Sequence, residues 1–211
     1  MVVRRGLVAE AGEAWRTALV SAGFRKRSGD VFTRQVAADV LGWLGLNRAV
    51  SRGDGLLEVN PVVGVRHQVL ERVVADLLGE RFHEYIPPTV SVHLGYVMPG
   101  GRYRPWLFGG DVPVGDVAAE MVGAIVACGL PFMDDRASLS AVVESMSDGR
   151  SGVAEQLAFR RPVGYLLLGE PGRAREEVRA SLARLGERED LAAQRFRGFA
   201  SALERRLADA C

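Results

Sequence analysis

The chain has 211 residues, 48% of them hydrophobic and 25% charged, with 27 basic side chains against 26 acidic ones. That suffices for one sizeable core and a small satellite rather than two large domains. It argues against a polybasic nucleic-acid carpet and against an acidic disordered tail.

Lys26 is the only lysine, and every other basic side chain is arginine. Two cysteines, Cys128 and Cys211, are too few for the dense disulfide scaffold of a small secreted domain. Cys128 reads as a small buried hydrophobe and Cys211 as an exposed tail thiol. The start, Met1 to Arg5, is basic, but Glu10 and Glu13 interrupt the adjoining segment, so no signal-like apolar run forms. Met121 to Leu130, the longest apolar stretch, is too short to span a bilayer. The expected location is a reducing cytoplasm.

In chain order, residues 7 to 22 predict a helix, with Leu7, Ala11, Trp15, Ala18, Leu19 and Ala22 on one face. Gly23 stands where a helix-ending glycine belongs. Phe24 to Arg27 and Val31 to Arg34 flank Ser28-Gly29-Asp30 and predict a hairpin. Val40 to Ala49 predicts a central strand, since both Leu44 with Leu46 and Leu41 with Trp43 are apolar faces. Gly53-Asp54-Gly55 predicts a turn. Leu56 to Val65 predicts a fourth strand, in which Pro61 requires an edge or a bulge. His67 to Leu78 returns to helical period and Gly79 closes it. Val90 to Val97 alternates as a strand, and Pro99 to Pro113 is a loop rich in glycine, proline and aromatics. Asp116 is the expected N-cap of a helix from Val117 to Cys128, ended by Gly129-Leu130-Pro131. Leu139 to Met146 predicts a short helix and Ser147 to Gly152 a break.

Beyond that break no strand pattern remains. Val153 to Arg160 and Pro162 to Leu168 read as helical pieces, with Gly169 to Gly172 as a turn. Arg173 to Leu185 and Glu189 to Leu207 are amphipathic. Leu182 and Leu185 mark the apolar stripe of the first; Phe196, Phe199, Leu203 and Leu207 mark that of the second. No tandem repeat is present. The pattern predicts an α+β fold: a small, mostly antiparallel sheet with flanking helices, followed by a helical C-terminal extension. The expected division is residues 1–135 for the α+β domain and 136–211 for the extension packed on it.

Several familiar chemistries lack their residues. His67, His83 and His93 are the only histidines, and none has a second ligand at zinc-site spacing. His67 reads as a helix cap. No glycine-rich stretch matches a phosphate-binding loop, and no serine sits in a nucleophile elbow. Asp134 and Asp135 suit a helix N-terminus better than a metal site. No catalytic, cofactor-binding or metal-binding residue is assigned, and no cofactor is expected.

Two groups remain as candidates. Arg25, Lys26, Arg27 and Arg34 lie on the first hairpin near Phe32 and Trp43, with Arg4 and Arg5 adding charge, and could hold phosphates or an acidic surface. Arg102, Tyr103, Arg104 and Trp106 lie in the 99–113 loop, where arginine beside aromatic rings has the composition of an interface anchor. His93, on the polar face of its strand with Ser91 and Gly95, is a candidate pocket wall, together with Arg102, Arg104 and Glu120.

The leading helix, then Ala22-Gly23-Phe24-Arg25-Lys26-Arg27, Val31-Phe32-Thr33-Arg34 and Leu57-Glu58-Val59-Asn60, resemble a loosely characterised bacterial group, the domain-of-unknown-function 4304 family. The resemblance covers roughly residues 10 to 65. It implies a small α+β fold and carries over no catalytic residue.

These readings predict a non-enzymatic cytoplasmic protein–protein interaction module, with an immunity- or antitoxin-like role as one version. Its partner would be another protein or a second copy of itself; nucleic acid and membrane are not expected. A first alternative is a small-molecule binder or enzyme with a pocket near the 99–113 loop. A second is a nucleic-acid accessory protein using the basic 25–34 hairpin.

Overall fold

The computed structural model describes residues 5–50, 55–149 and 151–209. Arg4 of the basic start, Gly53 and Asp54 of the expected turn, and Cys211 lie outside them. The chain divides into two compact units: Met1–Val65 with Ser91–Ala137, and Arg66–Val90 with Ser138–Cys211. The segment Arg66–Val90, expected in the first domain, belongs to the helical unit. The fold is a mixed α+β one with a small antiparallel sheet, flanking helices and a C-terminal helical extension.

The first unit opens with α1 (Arg5–Ser21), which buries Ala11, Trp15 and Leu19 at helical spacing. Gly23, at φ 86°, ends it in the left-handed conformation, and Phe24 N–H returns to the Leu19 carbonyl. Then come β1 (Arg25–Lys26), β2 (Val31–Ala37), β3 (Val40–Val50) and β4 (Leu57–His67). β5 (Val90–His93) and β6 (Trp106–Phe108) complete the six strands seen among the described residues. The order is β1-β2-β3-β4-β5, with β6 also pairing to β4. β3 is internal, as its two apolar faces predict.

β4 is internal too, so of the edge or bulge expected from Pro61 the edge is ruled out. Its antiparallel register with β6 covers only Leu57–Val59 and so stops short of the proline. β6 was itself hidden inside the expected 99–113 loop. β5 is also shorter than expected, because Leu94–Tyr96 tightens into a 3₁₀ turn.

Leu57, Val59, Trp106 and Phe108 are buried, and Trp15 meets the Phe108 ring edge-on at 5.5 Å. α3 (Val114–Ala124) packs on α1 and β6. Its N-cap is Pro113, so Asp116 lies in the first turn instead of capping it. The helix does not stop at Gly129-Leu130-Pro131. A wide π turn over Ile125–Gly129 carries it into α4 (Leu130–Asp134). The extra residue of such a turn leaves a position where a proline's missing N–H disrupts nothing. Val114–Asp134 is therefore one helix of 21 residues, long and apolar enough by length and composition to cross a membrane, with 44% of its most apolar window buried. Its buried face includes Val117, Met121 and Ile125, and Gly129 sits directly on Val63 and Leu94. Cys128 is a free thiol and only half-buried, not the buried hydrophobe expected.

The second unit begins with α2 (Gln68–Leu78). His67 is its N-cap, accepting the Leu70 N–H at Nδ1, 3.3 Å, and Gly79 closes it in the left-handed conformation. α5 (Leu139–Ser145) is capped by Ser138. α6 runs unbroken over Ala154–Leu167 with Pro162 inside, where two separate pieces were expected. Pro162 to Tyr165 are buried along this helix, and that burial offsets the lost helical bond. α7 (Pro171–Leu185) buries Ala174, Val178 and Ser181, so its inner stripe is not Leu182 and Leu185, which are half-exposed. α8 (Leu191–Asp209) buries Phe196, Phe199, Leu203 and Leu207 as its periodicity predicts. Phe159 of α6 meets Phe196 and Phe199 at ring distances of 5.3 and 5.1 Å.

Candidate functional site

In the first unit the chain from β5 to β6 folds back on itself at Gly95. A Cβ added there would collide with the Arg102 carbonyl and lie 2.8 Å from the Arg104 nitrogen. Only a glycine lets these two backbones come so close. This contact sets where Arg102, Tyr103 and Arg104 emerge.

Tyr103 is the centre of the cluster. Its ring meets His93 edge-on at 5.9 Å, and His93 meets Tyr96 in the same way at 6.1 Å. The Tyr103 hydroxyl donates to the Glu58 carboxylate at 2.7 Å. That bond, reinforced by burial, holds the phenol above its usual range. Glu58 and Asn60 alternate with buried Leu57 and Val59 on β4, so strand geometry puts them on the opposite face. Leu107 lies across from Glu58 in the β4–β6 register and is exposed. Asn60 Oδ1 and His93 Nδ1 are buried without a hydrogen-bond partner. A hollow of about 660 Å³ opens beside Gly95, Met98 and Tyr103.

Arg104 pairs with Glu120 on α3, and its guanidinium lies 5.3 Å from the Trp106 ring centre. Arg102 and Arg104 thus line one hollow, Glu120 joins it through Arg104, and His93 is tied to it through the Tyr103 ring. Trp106 is otherwise a core residue, 3% exposed, and presents no free face. Glu58, Asn60 and Tyr96 were not among the predicted residues. The alternation Leu57-Glu58-Val59-Asn60 was the signal for the first two.

The basic hairpin is not gathered in this way. Arg25 pairs with Thr33, and Thr33 with Trp43, while Lys26 pairs with Phe32, and Phe32 with Leu44. Partners in a ladder share a face, so Arg25 and Lys26 point to opposite sides of the sheet. Arg27 Nε donates to Thr33 Oγ1 at 2.8 Å, on the Arg25 side. Arg34 lies on the other, with its stem against Gly42.

The second unit contains a cluster the sequence did not point to. Arg66, Glu71 and Arg160 are all nine-tenths buried or more. Arg160 Nε lies 2.7 Å from Glu71 Oε1, and Arg66 Nη1 lies 3.2 Å from Glu71 Oε2. Arg66 also donates to the carbonyls of His83, Glu84 and Pro87, fixing the 83–87 segment. Burial pulls Arg66 below the usual guanidinium range, and the Glu71 carboxylate opposes that shift. Among the described residues no group of three or more His, Cys, Asp or Glu side chains is placed to hold a metal ion.

Comparison with known proteins gave no matching family model, no matching curated protein and no matching solved structure.

Proposed function

We propose that the protein is a non-enzymatic, cytoplasmic protein–protein interaction module of bacterial type, whose working surface is Tyr96, Arg102, Tyr103 and Leu107. One observation supports this reading above the others. Tyr96 and Tyr103 are 51% and 48% exposed, yet both rings rest edge-on against the same histidine. Aromatic side chains held in place at a surface lose little entropy on binding, which is the economy of an interface anchor. The partner that fits is a protein with apolar pockets for the two tyrosines and a carboxylate for Arg102. An immunity- or antitoxin-like role is one setting for such a partner.

The test uses the full chain and a Y96A/R102A/Y103A variant as paired baits. A protein retained by the wild type, released by the variant and rebound after purification supports the reading. Equal retention by both baits, together with a monomeric mass in solution, overturns it.

A second reading has its own support. The 660 Å³ hollow, lined by Met98, Arg102, Tyr103 and Arg104, is suited to a small polar ligand. Ligand-detected NMR with a metabolite mixture separates the two, because a small-molecule site yields hits that R104A loses.

A further inference from the structure

The buried ions of the second unit adjoin a cavity of about 430 Å³. Arg66, Glu71 and Arg160 reach its wall, together with Phe82, Phe159 and Ile86. Charge and hydrogen bonding in this wall do not close.

The charges come first. Two guanidinium groups share the single carboxylate of Glu71. At the rim Arg195 contacts Glu80, and exposed Arg81 is balanced by exposed Glu155. One positive charge is left over, and the guanidinium groups of Arg66 and Arg160 are buried against the cavity wall. An unbalanced buried charge is costly and draws a counter-ion.

The donors come second. A guanidinium has five N–H groups. Arg66 directs four contacts to the carbonyls of His83, Glu84 and Pro87 and to Glu71. Arg160 makes two hydrogen bonds, Nη2 to Glu71 Oε2 at 3.3 Å and Nη1 to Gln156 Oε1 at 2.6 Å. Its Nε lies 2.7 Å from Glu71 Oε1 as an ion-pair contact that leaves Oε1 without a hydrogen-bond partner. One N–H on each of Nη1 and Nη2 is unused. Two N–H groups of a side chain that is 4% exposed are thus left over beside the cavity. A planar carboxylate is the natural acceptor for a guanidinium edge.

The apolar part comes third. Phe82 is already covered by cations, with Arg72 4.3 Å and Arg66 5.3 Å from its ring centre. Phe159 lies on α6, with Arg195 5.2 Å away. Both rings line the cavity with Ile86, a wall that suits a flat apolar body and offers little to a fully hydrated ion such as inorganic phosphate.

We propose that this cavity binds a small organic monocarboxylate, its carboxylate on the free edge of Arg160 and its apolar body against the wall that Phe82 and Phe159 line. The site is independent of the tyrosine surface of the first unit, since none of its residues belongs to that surface.

Benzoate is the probe, with benzamide as its neutral counterpart and sodium chloride at equal ionic strength as the control. On the full chain, benzoate should raise the unfolding temperature saturably while benzamide and chloride do not. R160M should weaken benzoate binding by at least about tenfold. If R160M does not fold, the Nε–H resonances of arginine in the wild type decide. Benzoate should then shift Arg66 and Arg160 and leave Arg102 and Arg104 in place. A benzoate effect no larger than that of benzamide or chloride overturns the proposal. So does an undiminished effect in folded R160M, or a shift confined to other arginines.

Discussion

The loop of the first unit and the ion cluster of the second both gather arginine and aromatic side chains, but on opposite physical terms. Around Tyr103 the charges face water, Arg104 is paired with an exposed glutamate, and position is set by backbone and ring contacts. Around Glu71 the side chains are buried and open only onto a cavity wall, and position is set by the charges themselves. In the loop an ionic contact is replaceable and the backbone is not. In the cluster each ion is needed to make the next one tolerable. Exposed pairs near the first site contribute little, whereas breaking a buried pair leaves a stranded charge.

That contrast can be broken most sharply at Glu71. E71A leaves two guanidinium groups buried against each other, and should cost about 3–5 kcal/mol in urea unfolding. The loss should depend less on salt than that of an exposed pair, because the three side chains are buried. An effect below about 1 kcal/mol would mean that water reaches the cluster.

Next in size are the close backbone approaches. G95A forces a Cβ into the Arg102–Arg104 backbone, and should cost about 1–3 kcal/mol while displacing the Tyr103 ring from His93. Loss of the His93–Tyr103 cross-peaks in NMR would report the displacement. G164A is the counterpart in the second unit, where the new Cβ would lie 2.5 Å from Val143 Cγ2, and a similar loss is expected.

A smaller effect concerns pH. The Tyr103 phenol is raised by its bond to Glu58, so the folded form holds the proton more tightly than the unfolded one. The stabilising share of that bond is complete below the ordinary phenol pKa and disappears as pH rises through the raised value. Phenolate absorbance should show one tyrosine titrating late in the wild type, and E58Q should bring it back among the others.

The smallest effect is expected from R104A. It removes an ion pair whose partners are 49% and 57% exposed, and should cost about 0–1 kcal/mol, falling further at high salt. A loss as large as that of E71A would erase the distinction between the two regions.

The periodic elements were legible in the sequence because one face of each had to be apolar: α1, β2, β3 and α8 follow directly from that. Two prolines misled in the same way. Pro131 and Pro162 read as helix ends because the rule is local, yet a π turn and a buried helix face accommodate them. The loop residues Arg102, Tyr103 and Arg104 stood out because they are neighbours in the chain. Glu71 and Arg160 are 89 positions apart, and each alone looks like a charge on a solvated helix face. Nothing in local pattern says that such charges will meet, so their cluster came only from the structure. The shared ring contacts of His93 were hidden for the same reason, although His93 itself was a candidate.

Lys26 lies exposed on β1, opposite Phe32, and it is the sole side-chain amine in the chain. A dye directed at lysine will therefore report from one edge strand of the first unit and from no side chain of the second. The guanidinium groups of both candidate sites escape such labelling. The chain thus comes with a built-in place for an optical probe, through which partner capture and benzoate binding can be followed without touching the residues under test.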